Sequence, residues 1–66
     1  MEGNTIQLIR EAVAARRLPA RFTPSDVNRA LRISFAGTFL PKHRVGNPGG
    51  NTELFVRVSR GEYRLK

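Results

Sequence analysis

A glycine-rich segment at residues 46–51, with the sequence GNPGGN, divides the chain into two parts with different hydrophobic periods. Glycine, proline and asparagine at this density favour a turn or a flexible loop. Before the segment, apolar residues recur every three or four positions, as they do in amphipathic helices. After it, apolar and polar residues alternate, as they do in strands. The chain is therefore predicted to form helices first and a β-hairpin last.

The first helical segment covers about residues 4–17. Asn4 or Thr5 is expected to be its N-cap, because a side-chain oxygen there accepts from the exposed N–H groups of the first turn. Arg16 and Arg17 are expected in the last turn, where cations interact favourably with the helix dipole. A phosphate contact explains these two arginines equally well. The apolar stripe of this helix is predicted to contain Ile6, Ile9 and Val13, and to be extended by Leu8, Ala12 and Ala15.

The strongest local signal is the sequence FTPSDV at residues 22–27. Thr23 is predicted to be an N-cap, preceded by the apolar Phe22 and followed by Pro24 at the first helical position and Asp26 in the first turn. Proline loses nothing there, because its missing N–H would be unpaired in any case. This second helix is predicted to end near Arg32. Its buried side is predicted to contain Val27, Ala30 and Leu31, and its exposed side Asn28, Arg29 and Arg32.

A third, short helix is predicted within residues 33–44, with Ser34 or Thr38 as its cap. Pro41 is tolerated in the first turn if Thr38 is the cap, and it ends or kinks the helix if Ser34 is the cap. Gly37 and Pro41 together argue against a long helix. The buried face is predicted to contain Phe35, Phe39 and Leu40. The exposed side is predicted to carry Ser34, Thr38, Lys42, His43 and Arg44.

The alternating residues after the glycine-rich segment predict a hairpin, with Gly61 supplying the positive φ of its turn. Tyr63 is expected in the core, rather than stacked on a base, because it shares the phase of Leu65. Phe55 shares the phase of Arg57 and is either a core residue of the second face or an exposed contact. The core-facing side is predicted to contain Leu54, Val56, Val58, Tyr63 and Leu65. The outer side is predicted to be a positive ridge of Arg57, Arg60, Arg64 and Lys66.

Charge is the most informative part of the composition. Twelve basic residues and five acidic ones give a net charge of +7, and the sequence pI is about 11.6. Ten of the twelve basic residues are arginine, which a genome rich in G and C would also produce, but codon usage does not explain the shortage of acids. Such a charge balance is typical of proteins with a polyanionic partner, most often nucleic acid. Acidic proteins and anionic membrane surfaces are the alternatives.

The rest of the composition limits the classes of function. A length of 66 residues allows a single domain with a thin core, covering the whole chain. The lack of cysteine excludes disulfides, thiolate metal sites and cysteine nucleophiles. No apolar run reaches the roughly 18 residues of a membrane helix, and no signal peptide is apparent, so we expect a cytoplasmic protein with no membrane partner. With a nucleic-acid partner, we expect it to be nucleoid-associated. Isolated acids and a single histidine predict no enzyme, no cofactor and no small-molecule substrate.

The closing sequence LFVRVSRGEYRL at residues 54–65 resembles the LF-x-R-V-x-x-G-x-Y-x-L ending of small winged-helix domains. Such domains occur in prokaryotic DNA-acting proteins, including restriction-related ones, and in the HARE-type winged helices. The FTPSDV sequence resembles the start of their second helix. The resemblance implies an α+β winged helix-turn-helix fold, binding of double-stranded DNA, and fusion to an effector domain in a larger protein. Gly37 and Pro41 are a departure from the usual recognition helix.

In that arrangement the third helix enters the major groove and the hairpin lies on the DNA backbone. Lys42 and Arg44 are the candidate guanine readers because of their donor geometry. Asn47 and Asn51 either allow close approach to the duplex or only form the turn. The remaining candidate contacts are Ser34, Thr38 and His43 on the helix and Arg57, Arg60, Arg64 and Lys66 on the hairpin. Two alternatives stay open: RNA binding, and an interaction module that docks an acidic protein, with Phe35, Phe39 and Leu40 as its apolar surface.

Overall fold

The structure, a computed structural model, describes the backbone of residues 2–66 and the side chains of residues 5–66. Three helices are followed by an antiparallel two-stranded hairpin, which confirms the predicted order of elements and the α+β class. The elements are α1 (Glu2–Ala14), α2 (Pro24–Leu31), α3 (Ala36–Lys42), β1 (Phe55–Ser59) and β2 (Glu62–Leu65). Because α1 already begins at Glu2, Asn4 and Thr5 lie inside the helix. The prediction that one of them is the N-cap is wrong.

Helix α1 ends earlier than predicted, because the chain turns back at Arg16. This residue has a φ of 62°, in the left-handed region. The N–H of Arg17 donates to the carbonyl of Ala12 at 2.8 Å, and the N–H of Arg16 donates to the carbonyl of Val13 at 3.1 Å. These two bonds form the Schellman motif that closes many helices. Arg16 and Arg17 therefore lie beyond the helix, and their predicted place in its last turn is wrong.

The start of α2 is the one that the sequence predicts. The hydroxyl of Thr23 accepts from the N–H of Asp26 at 3.1 Å, and the Asp26 carboxylate accepts from the N–H of Thr23 at 3.0 Å. Pro24 is the first residue of the helix. The N–H groups of Thr23 and Asp26, which have no acceptor within the helix, are thus both hydrogen-bonded. This reciprocal pair stabilises the first turn. The predicted end near Arg32 is also confirmed, since Arg32 is the C-cap with a φ of 57°.

Helix α3 has no side-chain cap from its own segment. Its first N–H group, on Ala36, donates instead to the side-chain oxygen Oδ1 of Asn28 in α2, at 3.0 Å. Ser34 and Thr38 are therefore not the cap, and Asn28 points towards α3 rather than outwards, contrary to the prediction. An acceptor eight residues earlier in the chain has no local sequence signature. Only the packing of α2 against α3 reveals it.

Three phenylalanines join the helices to the hairpin. The ring of Phe55 packs edge-to-face against Phe22 at 6.1 Å and against Phe39 at 5.8 Å between ring centroids. Phe39 and Leu40 are buried as predicted, whereas Phe35 is 46% exposed and Ala36 is buried in its place. The buried cluster comprises Ile9, Ala12, Leu18, Phe22, Val27, Ala36, Phe39, Leu40, Phe55 and Tyr63.

The register of the hairpin differs from the predicted pattern of faces. Phe55 lies opposite Leu65 and Arg57 lies opposite Tyr63, whereas Arg64 lies opposite Val56. Directly opposite residues of an antiparallel pair share a face. The core-facing side therefore carries Phe55, Tyr63 and Leu65.

The prediction that Val56 and Val58 face the core is wrong, because Phe55 takes that side of β1 and places the alternate residues on the other side. The predicted single ridge is wrong as well, since Arg57 and Arg64 lie on opposite faces. A register irregularity between Arg57 and Ser59 interrupts the alternation before the turn. Gly61 has a φ of 75°, which confirms its predicted role in that turn.

Both edges of the hairpin are tied to the helical part of the chain. On the edge of β2, Phe22 and Tyr63 exchange two backbone hydrogen bonds of 2.8 Å. On the edge of β1, Arg44 pairs in parallel with Phe55, and the N–H of Val45 donates to the Phe55 carbonyl at 2.8 Å. These bridges hold the end of α3 directly beside β1.

Candidate nucleic-acid interface

Two of the predicted contact residues lie on the exposed side of α3, and a third, Ser34, lies two residues before the helix begins. Ser34, Thr38 and Lys42 are all exposed, as predicted. Thr38 and Lys42 are four residues apart, which places them on neighbouring turns of one helix face. Gly37 is exposed beside them. This face thus combines a hydroxyl group with a cation.

His43 is not on that surface. Its side chain is only 6% exposed, and its ring lies 4.8 Å from the ring of Phe39. Its Nδ1 atom lies 2.9 Å from the carbonyl oxygen of Thr52. A carbonyl oxygen can only accept, so Nδ1 carries the hydrogen in this bond. The prediction that His43 is exposed is wrong, because its ring fills the junction between α3 and the segment that leads into β1.

Arg44 folds back on the glycine-rich segment. It is half-buried, and its Nη1 atom donates to the carbonyl oxygens of Val45 at 3.2 Å and Gly46 at 3.4 Å. These bonds restrict the guanidinium to the start of the segment. Of the two predicted guanine readers, Lys42 is therefore the more exposed one.

The glycine-rich segment is a hydrogen-bonded turn built around Asn47. Its Nδ2 group donates to the carbonyls of Arg44 and Asn51, both at 2.9 Å, and its Oδ1 atom accepts from the N–H of Asn51 at 2.8 Å. Both donors and one acceptor position of the Asn47 amide are thereby engaged within the turn. This geometry matches the turn-forming alternative for Asn47.

Glu53, which follows the segment in the chain, bonds to its first residue. Its carboxylate accepts from the N–H of Gly46 at 2.8 Å and lies 3.3 Å from the ammonium group of Lys66. The hydrogen bond from Gly46, followed by the Lys66 ammonium, lowers the pKa of the Glu53 carboxyl below its ordinary value. Lys66, predicted as part of the outer ridge, is thus paired with an acid.

A groove of about 550 Å³ lies between α3 and the glycine-rich segment. The side chains on its rim include Thr38, Lys42 and Arg44, and its lining also contains Gly37, Pro41, Asn47, Pro48, Gly49 and Asn51. No acidic residue occurs between Asp26 and Glu53, whereas four basic residues do. This acid-free run covers most of α2, all of α3 and the whole turn. The positions of the charged residues in the sequence reveal this acid-free run, whereas the helix and strand periods do not.

The hairpin arginines form a separate basic area. Arg57, Arg60 and Arg64 are exposed. The Nη1 atom of Arg64 donates to the Leu65 carbonyl at 3.2 Å. In the part of the chain that the structure describes, the side chains of Arg57 and Arg60 make no hydrogen bond or ion pair. These two cations are therefore available to a partner. Arg60 lies in the turn of the hairpin, and Arg57 lies on the face that also carries Tyr63.

Other kinds of site have little support within residues 2–66. Over that range, no group of three or more histidine, cysteine, aspartate or glutamate residues is placed to hold a metal ion. Over the same range, no helix has the length and apolar character needed to cross a bilayer. Comparisons of the chain with protein-family models, with curated protein sequences and with solved structures give no match.

Proposed function

We propose that this chain is a non-enzymatic winged-helix module that binds double-stranded DNA, with α3 in the major groove and the hairpin as a wing against the backbone. The observation that carries the proposal is the acid-free run between Asp26 and Glu53, which covers the exposed face of α3 with Thr38 and Lys42. The groove beside this face is lined by Lys42 and Arg44 and, among the described residues, by no acidic side chain, so the phosphates of a polyanion are not repelled there.

The placement of α3 supports the same proposal. Direct reading of bases needs a helix whose orientation is fixed relative to the rest of the domain. The hydrogen bond from Ala36 to Asn28 joins the start of α3 to α2, and the pairing of Arg44 with Phe55 joins its end to β1. A helix held at both ends presents its side chains in one geometry.

The proposed contacts divide into two groups. Ser34, Thr38 and Lys42 face the edges of the bases, with Arg44 at the side of the groove. Arg57 and Arg60 on the hairpin neutralise phosphates, which positions the domain without reading sequence. Arg64, on the other face of the hairpin, adds only to the overall positive potential. His43 and Asn47 keep the end of α3 and the following turn in place.

One observation counts against the alternative of an interaction module with an apolar docking surface. Phe39 and Leu40 belong to the buried cluster, which leaves Phe35 as the exposed member of that predicted surface. A single exposed aromatic side chain is normal for a soluble domain.

The first experiment is fluorescence anisotropy of a labelled random duplex of about 20 base pairs, titrated with the protein at several salt concentrations. We expect binding whose logarithm falls linearly with the logarithm of salt, with a slope of about −0.9 for each phosphate contact. Lys42→Ala should weaken binding, and Arg10→Ala on the exposed part of α1 is the matched control. Absence of binding at low salt would overturn the proposal and favour an acidic protein partner.

A further inference from the structure

No contact or backbone angle in the described part of the chain requires glycine at position 37 of α3. Gly37 is the second residue of the helix, and it is not among the glycines with a positive φ. A Cβ atom added to it would meet nothing within 4 Å outside its own helix and chain neighbours. Glycine is a poor helix former because it loses more conformational freedom on folding than other residues. Alanine would therefore fit at this position and favour the helix.

Pro41 lies one helical turn after Gly37 and lacks a backbone N–H. In a regular helix the N–H of residue 41 would donate to the carbonyl of residue 37. Proline cannot supply that donor. The Gly37 carbonyl thus lacks the donor that the helix would normally provide, and no side chain of its own shields it. Both residues line the groove beside Thr38 and Lys42.

We infer that this groove receives the edge of a DNA base, and that Gly37 is where the backbone of α3 approaches it. The missing side chain makes room, and the Gly37 carbonyl accepts a hydrogen bond from the base. In the major groove, only the exocyclic amino groups of adenine and cytosine donate hydrogen bonds. The inference rests on the proposed DNA-binding function and names the chemistry that α3 reads. It also gives a role to Gly37 and Pro41, the two residues that are unusual in a recognition helix.

The test is a graded series at position 37, namely Gly37→Ala and Gly37→Leu, measured for both stability and binding. The thermal midpoint of Gly37→Ala should equal or exceed that of the parent, because alanine favours the helix. The affinity for a duplex selected from a random pool should fall with side-chain size, by about fivefold or more for Gly37→Leu. Ala14→Leu adds similar bulk at an exposed position of α1 and should leave the affinity unchanged.

A second measurement identifies the donor on the DNA. In the selected duplex, each adenine is replaced in turn by a purine without the amino group, and each cytosine by a pyrimidine without it. One such replacement should weaken binding of the parent by about fivefold and should have no effect on Gly37→Leu. If Gly37→Leu binds as tightly as the parent, the inference is wrong although DNA binding stands. If the parent itself does not bind duplex DNA, the proposed function fails first.

Discussion

The side-chain oxygen of Asn28 in α2 caps α3 by accepting a hydrogen bond from the backbone N–H of Ala36 at 3.0 Å. Without this acceptor a half-buried N–H group would have no partner. We expect Asn28→Ala to lower the free energy of unfolding by about 1 kcal/mol, the usual cost of removing a cap. Asn28→Asp keeps an acceptor and should recover most of that stability. Urea unfolding followed by circular dichroism measures both.

The control for that prediction is Arg29→Ala, since Arg29 is exposed and adjacent in sequence. It should change the free energy of unfolding by less than about 0.5 kcal/mol, as most surface substitutions do. Equal effects of the two alanine variants would show that the change in stability comes from helix propensity rather than from the cap.

Arg32 ends α2 with a φ of 57°, in the left-handed region where glycine is favoured. A residue with a Cβ atom is strained there by roughly 1–2 kcal/mol, whereas glycine adds roughly 0.5–1 kcal/mol of unfolded-chain entropy. Arg32→Gly should therefore stabilise the fold by about 0.5 kcal/mol. Arg29→Gly, which removes the same side chain inside α2, should destabilise it by about 1 kcal/mol. A comparison of the two thermal midpoints checks the opposite signs.

Glu53 makes part of the stability depend on pH. Its folded pKa lies below the ordinary value of 4.5, chiefly because the Gly46 N–H donates to the ionised carboxylate, with Lys66 adding a second bond. The ionised form thus stabilises the native state. This contribution is fully present above pH 4.5 and disappears as the pH falls through the lowered folded pKa.

Replacing Glu53 by glutamine should therefore flatten the acid side of a plot of thermal midpoint against pH. The parent and Glu53→Gln should differ at neutral pH and converge at low pH, where the parent carboxyl is protonated. Glu11→Gln, on α1, should leave the parent profile nearly unchanged. A constant difference between parent and Glu53→Gln at every pH would contradict the electrostatic explanation. High salt should reduce the Lys66 part of the effect, because that pair is exposed.

The two basic areas should affect DNA binding in different ways. Arg57→Ala combined with Arg60→Ala should weaken binding to all duplexes alike and should reduce the steepness of the salt dependence by about 0.9 for each phosphate that is no longer neutralised. Lys42→Ala should instead reduce the preference for a selected site over random duplex. Anisotropy titrations with both duplexes measure the two effects. A changed sequence preference in the hairpin variant, or equal weakening on both duplexes for Lys42→Ala, would contradict these assignments.

Features with short-range causes were predictable from sequence. The capping box between Thr23 and Asp26 and the positive φ of Gly61 each depend on residues within a few positions. The order of helices and strands follows from the change of period at residues 46–51. The basic character of the molecule follows from composition alone. These features need no knowledge of how the elements pack.

The candidate site was predictable only in part, because some of its contacts join residues that are far apart in the sequence. Ser34, Thr38 and Lys42 are exposed as predicted, because a polar residue on a short helix or just before it is exposed by default. His43 is equally polar, but its ring is buried against Phe39 and bonded to the carbonyl of Thr52. Thr52 is nine residues further along the chain, so no local pattern indicates that contact.

By itself, the sequence determined the elements, the α2 capping box and the positive charge, since each arises from local backbone chemistry or from counting. The tertiary structure decided which face of β1 is buried, where α3 begins and which side chains line its groove. Phe55 rather than Val56 faces the core because two other phenylalanine rings meet it there. Helix α3 begins at Ala36 because Asn28 supplies an acceptor from α2. Both outcomes depend on contacts between residues far apart in sequence, which only the packed fold brings together.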